Sequence, residues 1–307
     1  MKKIFIYLGI TFFLTWLIWG VLSQNVDSLT NSLIAQGVVA VTMWFPAFGL
    51  FITKSLSKKD PVVIKPLFIP CIKGNVKTYL AALLLPVLLT IIGAALFFLL
   101  FPDRFGMAFE KIARQMRDNG IQLSDNLILL IIIAQMLAAI IFAPFLNMLF
   151  ALGEELGWRG FLFPELKKKT SSVKAIFASG IIWGVWHAPI TAMGHNFGFG
   201  YPGFPWTGIL AMIIFCTFTG AFLAYITEKT ASIWPAALCH GAINAVAGIP
   251  ILFLNDGFTE SGLTSPKLLG PSLPGFISGI PVIILGIWCI IKFKQENPLD
   301  KIPALDN

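Results

Sequence analysis

Glu154 and Glu155 stand side by side in "ALGEELGWRGFL", residues 151 to 162, directly after a long apolar run. His187 in "IIWGVWHAP" and His240 with Asn244 in "LCHGAINA" lie in equally apolar surroundings. Burying an ionisable side chain in a membrane span costs a few kcal/mol, so each such residue marks a functional site by default. A carboxylate beside an imidazole holds a water and takes its proton, which is general-base catalysis. A histidine with an amide donates hydrogen bonds to the oxyanion of a tetrahedral intermediate, where a low dielectric makes each donor worth several kcal/mol. Glu154, His187 and His240 also offer a ligand set for Zn²⁺ with one position open for water. Both schemes hydrolyse an amide. No Ser, Cys or Thr in the constellation is placed as a nucleophile, which disfavours an acyl-enzyme.

Spacing divides the roles. His240 and Asn244 are four apart and share one helix face, as do Trp183 and His187. Glu155 and Arg159 have the same spacing, which predicts a helix-internal ion pair that neutralises the second glutamate. Glu154 then points about 100° round the helix, toward the histidines. Trp183 and Trp186 read as packing residues, and His195 as a solvated residue of the loop 195–208. That loop is rich in Gly, Pro and aromatics, and fits an interfacial turn anchored by Tyr201 and Trp206.

The elements that must carry these residues follow from composition. Of 307 residues, 57% are hydrophobic and 12% charged, and mean hydropathy is +0.82, which describes a membrane protein. Long apolar runs without strand-like alternation predict an all-α, polytopic membrane protein with about eight transmembrane helices. The runs are 4–22, 36–53, 78–101, 127–152, 174–192, 206–227, 232–253 and 273–291. The opening run reads as a first membrane helix rather than a cleaved signal. Run 127–152, extended to Glu154, would be about 40 Å of straight helix, so it must tilt, begin outside the membrane or break near Pro144. Pro164 is expected to interrupt the helix that follows. Counted from the basic flanks, Glu154, His187, His240 and Asn244 fall at similar depths of about 14 to 21 Å.

Of the 22 Lys and Arg residues, 17 fall on one side of an eight-span topology and five on the other. The positive-inside rule then puts both termini in the cytoplasm of a multi-pass cell-membrane protein. The net charge of +7 is thus a topology signal and does not point to nucleic acid. The run Lys167 to Lys169 reads as an anchor at lipid headgroups. Four scattered cysteines read as small buried hydrophobes. Residues 102–126 carry Phe105, Phe109, Ile112, Ala113 and Met116 at helical spacing, an amphipathic pattern. The chain divides into N-terminal helices (1–125), a core with the polar residues (126–255), and a last helix with a tail (256–307).

These motifs identify a resemblance. The sequence resembles the CPBP intramembrane proteases, the group that contains the CAAX-processing Ras-converting enzyme and bacterial Abi and bacteriocin-processing or immunity proteins. The family's EExxxR stands as "EELGWR", Glu154 to Arg159. Its aromatic-xxx-His stands as "WGVWH", with Trp183 where many members have Phe, and its HxxxN as "HGAIN", His240 to Asn244. The resemblance covers about residues 140 to 250. It implies that Glu154 and His187 activate water, that His240 and Asn244 stabilise the oxyanion, and that Glu155, Arg159 and Trp183 support them. It also implies a membrane-embedded or lipidated peptide substrate among membrane lipids, and leaves zinc-assisted and metal-free chemistry both open. Two rivals stand beside the protease: a non-catalytic membrane immunity or regulatory protein on the same scaffold, and a proton-coupled transporter. The transporter expects repeat symmetry that the sequence does not show.

Overall fold

Inside a bilayer the backbone has no water to bond, so each apolar run closes its own hydrogen bonds as a helix. The computed structural model describes residues 1–25, 32–57, 65–255 and 266–296. Its helices are α1 (Lys2–Asn25), α2 (Leu33–Thr42), α3 (Phe45–Leu56), α4 (Val76–Leu100), α5 (Ala108–Asp118), α6 (Asp125–Ile141), α7 (Ala143–Gly157) and α8 (Phe163–Lys167). They continue with α9 (Ser172–Trp186), α10 (Ala188–Ala192), α11 (Trp206–Thr230), α12 (Trp234–Val246), α13 (Ile249–Leu252), α14 (Pro266–Leu269) and α15 (Ile280–Glu296). Among the described residues the only β pairing is an isolated bridge between Phe105 and Leu254.

Among the described residues five stretches are long and apolar enough to cross a membrane: α1, Leu33–Leu56, α4, α11 and Trp234–Leu252. The bent pair of α6 and Ala143–Lys167 makes a sixth if it is one span. The expected eight are therefore not all realised as full-length helices, and two segments account for the difference. Segment 174–192 breaks at His187, because Pro189 removes a backbone donor and restrains the residue before it. This leaves α9 with 15 residues. In 273–291 the prolines and glycines of 271–279 hold the chain in turns, and α15 begins only at Ile280 with 17 residues.

The long run 127–154 breaks where its length demands. Helices α6 and α7 meet at a 43° bend, with Pro144 in the first turn of α7. Pro164, by contrast, does not stop the helix. A π-helical turn at Trp158–Leu162, where Phe163 N–H bonds the Trp158 carbonyl, opens the ladder just before it. The wider turn accommodates the missing proline donor, and the chain stays helical to Lys167.

Glycines set how closely these helices approach. A Cβ added at Gly153 would stand 2.6 Å from Trp44 Cα, and one at Gly157 would meet Pro46 and Tyr7, so α7 lies directly against α3 and α1. Gly180 and Gly184 meet the backbone of Thr217 and Ile213 in the same way, seating α9 on α11. Gly241 would come within 2.5 Å of Met148 N, which fixes α12 on α7. Small residues four apart let backbones touch, the main source of helix association in lipid.

Three ion pairs lie together at one end. Glu165 bonds Lys3 at 2.9 Å and Lys168 at 2.6 Å, and Lys167 bonds Glu228 at 2.7 Å. The start of α1, the end of α8 and the end of α11 therefore share an end. At the opposite end, Ile112 and Ala113 of α5 pack with Ile128 and Ile132 of α6, joined by Phe109, Met116 and Phe253. The amphipathic face of 102–126 is thus covered by protein. The four cysteines are unpaired, three of them buried.

Candidate active site

Glu154 and Glu155 occupy the last turn of α7, 2% and 0% exposed. Adjacent positions on a helix face different neighbours, and the two carboxylates take separate partners. Glu154 Oε2 accepts the indole N–H of Trp183 at 2.6 Å and that of Trp158 at 3.2 Å. Both donors sit on one oxygen, so Oε1 keeps its acceptor capacity. Glu155 Oε1 accepts from Arg159 Nη1 at 2.9 Å and lies 2.9 Å from His240 Nδ1. Its Oε2 is buried without a hydrogen bond.

The expected pair Glu155–Arg159 therefore forms, and it has a third member. The carboxylate bonded to a histidine is Glu155, whereas spacing alone sent Glu154 to meet the histidines. The ordinary helical spacing of Glu155 and Arg159 survives up to the π turn, which begins at Trp158. The Arg159 guanidinium stacks 4.1 Å from the Trp183 ring centroid, beside Gly220, where any side chain would crowd it.

His187 caps the C-terminus of α9, and its Nδ1 lies 2.9 Å from the Trp183 carbonyl. A carbonyl only accepts, so Nδ1 carries the proton and Nε2 keeps its lone pair. His240 is likewise fixed through Nδ1, by a carboxylate that accepts from it.

Trp183 ties the set together. Its N–H holds Glu154, its face carries Arg159, and its ring lies 5.3 Å from the His240 ring and 5.9 Å from the His187 ring. Reading this tryptophan as packing alone missed its polar half, although an indole in an apolar run needs an acceptor for its N–H. Trp186 does pack, against Trp19, Trp158 and His187, with its own N–H on Thr15.

Glu154, Trp183, His187, His240 and Asn244 line one cavity of about 210 Å³. Asn244 is the solvent-exposed member. His195 also lines this cavity and is half-buried, which corrects its expected place in a solvated loop. Left-handed backbone at Asn196, Gly198 and Gly200 turns the loop back toward the bundle. Tyr201 is buried as an anchor, while Trp206 is 74% exposed. The cavity wall also includes Trp19, Val39 and Met43 from the N-terminal helices and Leu273 and Pro274 from beyond the core. Residues 126–255 therefore supply the motif residues of the cavity but not the whole enclosure.

Glu154, His187 and His240 come to the same cavity, yet among the described residues no three His, Cys, Asp or Glu side chains converge as a metal-binding group. The engaged atoms are Glu154 Oε2 and the two histidine Nδ1 atoms, so Glu154 Oε1 and the two Nε2 atoms are the donors left that could hold Zn²⁺. The geometry offers a carboxylate with one open oxygen, two imidazoles held by Nδ1, and an exposed amide. Sequence reading also missed the glycines that bring these helices together, although their four-residue spacing in "GEELG" and "GIIWG" is a recognisable signal.

Comparison with known proteins bears on this arrangement. Residues 127–246 match the family described as "Type II CAAX prenyl endopeptidase Rce1-like". A "CAAX prenyl protease 2" of Methanococcus maripaludis is 42% identical over 53 residues, which are 17% of this chain and 20% of that protein. The chain thus matches well under two thirds of that relative's length. Residues 127–246, which hold every cavity residue of the three motifs, are thus similar to the CAAX prenyl endopeptidase family of membrane proteases.

Proposed function

We propose that the protein is an intramembrane endopeptidase that hydrolyses a peptide bond of a membrane-associated substrate with water activated by its own side chains. The observation that carries this reading is the convergence of Glu154, His187, His240 and Asn244 on one cavity among apolar helices. A water between Glu154 Oε1 and His187 Nε2 gives its proton to Glu154 as its oxygen attacks the scissile carbonyl carbon. The oxyanion accepts from Asn244 Nδ2–H and from His240 Nε2–H, while the Glu155 carboxylate on Nδ1 balances the imidazolium charge. Glu154 then returns the proton to the amine as the C–N bond breaks, leaving a new carboxylate and a free amino group.

In this reading the end of the molecule that holds Lys3, Lys167 and Lys229 faces the cytoplasm. The match to a CAAX prenyl endopeptidase model makes a prenylated C-terminal peptide the first substrate to test, with an unmodified membrane peptide beside it. Purified protein in liposomes should cleave one of them. Glu154→Gln should lower the rate about 10²- to 10⁴-fold, the scale of a lost general base. Unchanged cleavage by this variant removes Glu154 from the mechanism. Loss of wild-type activity in a chelator, restored by zinc, replaces the scheme with a metal-assisted one. A phenotype that survives both Glu154→Gln and His187→Ala supports the immunity or regulatory role.

A further inference from the structure

A second cavity, of about 390 Å³, opens at the basic end of the molecule between α4, α11 and α15. It shares no lining residue with the candidate active site. Its walls are apolar, formed by Ala81, Leu85, Phe222, Ile226, Leu285 and Trp288, and its lip carries Lys77 and Lys229. The lip has an aromatic base: Tyr225 and Trp288 pack edge to face at 5.4 Å. Lys229 Nζ stands 5.8 Å over Tyr225, and Lys292 Nζ 5.9 Å over Trp288. Lys77, Lys229 and Lys292 make no ion pair among the described residues, and the neighbouring acid, Glu228, is held by Lys167. Lys77 and Lys229 thus line an apolar slot, with Lys292 over its Trp288 wall, and among the described residues none of the three has an ion pair.

The slot runs inward from the charged lip. Leu85 lies eight residues beyond Lys77, about 12 Å along α4, which suits the upper part of an acyl chain. Basic pockets between membrane helices on the positive side bind anionic lipid headgroups, and aromatic side chains belong at that same level. A free phosphate would satisfy the lysines but leave the apolar slot unfilled. A neutral lipid would fill the slot but leave the lysines unbalanced.

We infer that this groove is a binding site for one anionic phospholipid, its phosphate on Lys77 and Lys229 and one acyl chain along Ala81, Leu85 and Phe222. The test uses the full chain in detergent, titrated with phosphatidylglycerol or phosphatidylcholine and followed by native mass spectrometry. Wild type should retain one phosphatidylglycerol with at least a fivefold preference over phosphatidylcholine, and its thermal unfolding midpoint should rise with the anionic lipid alone. Lys77→Gln with Lys229→Gln should abolish the preference. Lys54→Gln with Lys174→Gln, which remove two exposed lysines outside the groove, should keep it. Ala81→Trp, at an exposed position that tolerates a larger side chain, should fill the slot and lower retention while leaving every lysine in place. Equal retention of the two lipids overturns the site. So does equal loss in the two lysine pairs, or undiminished binding in Ala81→Trp.

Discussion

Replacing Glu155 by glutamine keeps the side chain's shape and removes one charge from a fully enclosed point of the fold. The wild-type carboxylate is 0% exposed and bonds both Arg159 and His240 at 2.9 Å. Removing one partner of a buried ion pair costs about 3–5 kcal/mol, because the remaining charge is stranded. The glutamine carbonyl still accepts from one of the two donors, which returns about 1 kcal/mol. Arg159 keeps its stacking on Trp183 in both forms, so that contact cancels. The expected loss is about 2–4 kcal/mol, read by denaturant unfolding in mixed micelles. Arg159→Met strands the carboxylate instead, with His240 as its one remaining charged-state partner. The double variant leaves neither charge stranded, so it should lose about 1–3 kcal/mol less than the two single losses combined. Losses that add to within about 0.5 kcal/mol would refute the coupled cluster. Glu155→Gln should also lower kcat about 100-fold, equivalent to about 2.7 kcal/mol of transition-state stabilisation, through a loosened His240. An intact kcat in a destabilised variant would confine Glu155 to the fold.

Trp183→Phe keeps a ring over Arg159 and beside both histidines but deletes the 2.6 Å N–H bond to Glu154. With Trp158 still donating, kcat/KM should fall about tenfold with KM little changed, in steady-state assays of the same peptide. Gly180→Ala drives a Cβ into the Thr217 backbone and should cost about 1–3 kcal/mol in thermal unfolding, as overpacking does. Gly9→Ala, with nothing within 4 Å, should cost no stability; equal losses would separate stability from helix approach. Met43→Trp narrows the cavity and should raise KM more for peptides with bulky side chains at the scissile bond than for slim ones.

The candidate site residues were conspicuous because membrane helices make polar side chains stand out. Glu154, His187, His240 and Asn244 stood out against apolar neighbours, and the structure brings all four to one cavity. The helical class followed from the same runs. Partnership was harder to read. Which glutamate bonds His240 depends on the phase of α7 against α12, set by Gly241 against Met148. The π turn was invisible to a count of 3.6 residues per turn, so Pro164 looked like a stop. His187 looked like a mid-helix residue because "WHAP" sits inside an apolar run, yet Pro189 two residues later closes α9 there. His195 was assigned by loop composition, which says nothing of which way a loop folds back.

The cavity is built from two sources. Its motif side chains come from α7, α9 and α12, whereas Trp19, Val39, Met43, Leu273 and Pro274 reach it from segments outside the matched 127–246. The motif residues and part of the chamber's wall are therefore encoded in separable parts of the chain. Substitutions along α1, α2 or the turn before α15 can reshape what the chamber admits while the hydrogen bonds among Glu154, Glu155, Trp183 and His240 stay as they are. On the proposed function, such changes refit one hydrolytic centre to new peptides while its own residues stay fixed.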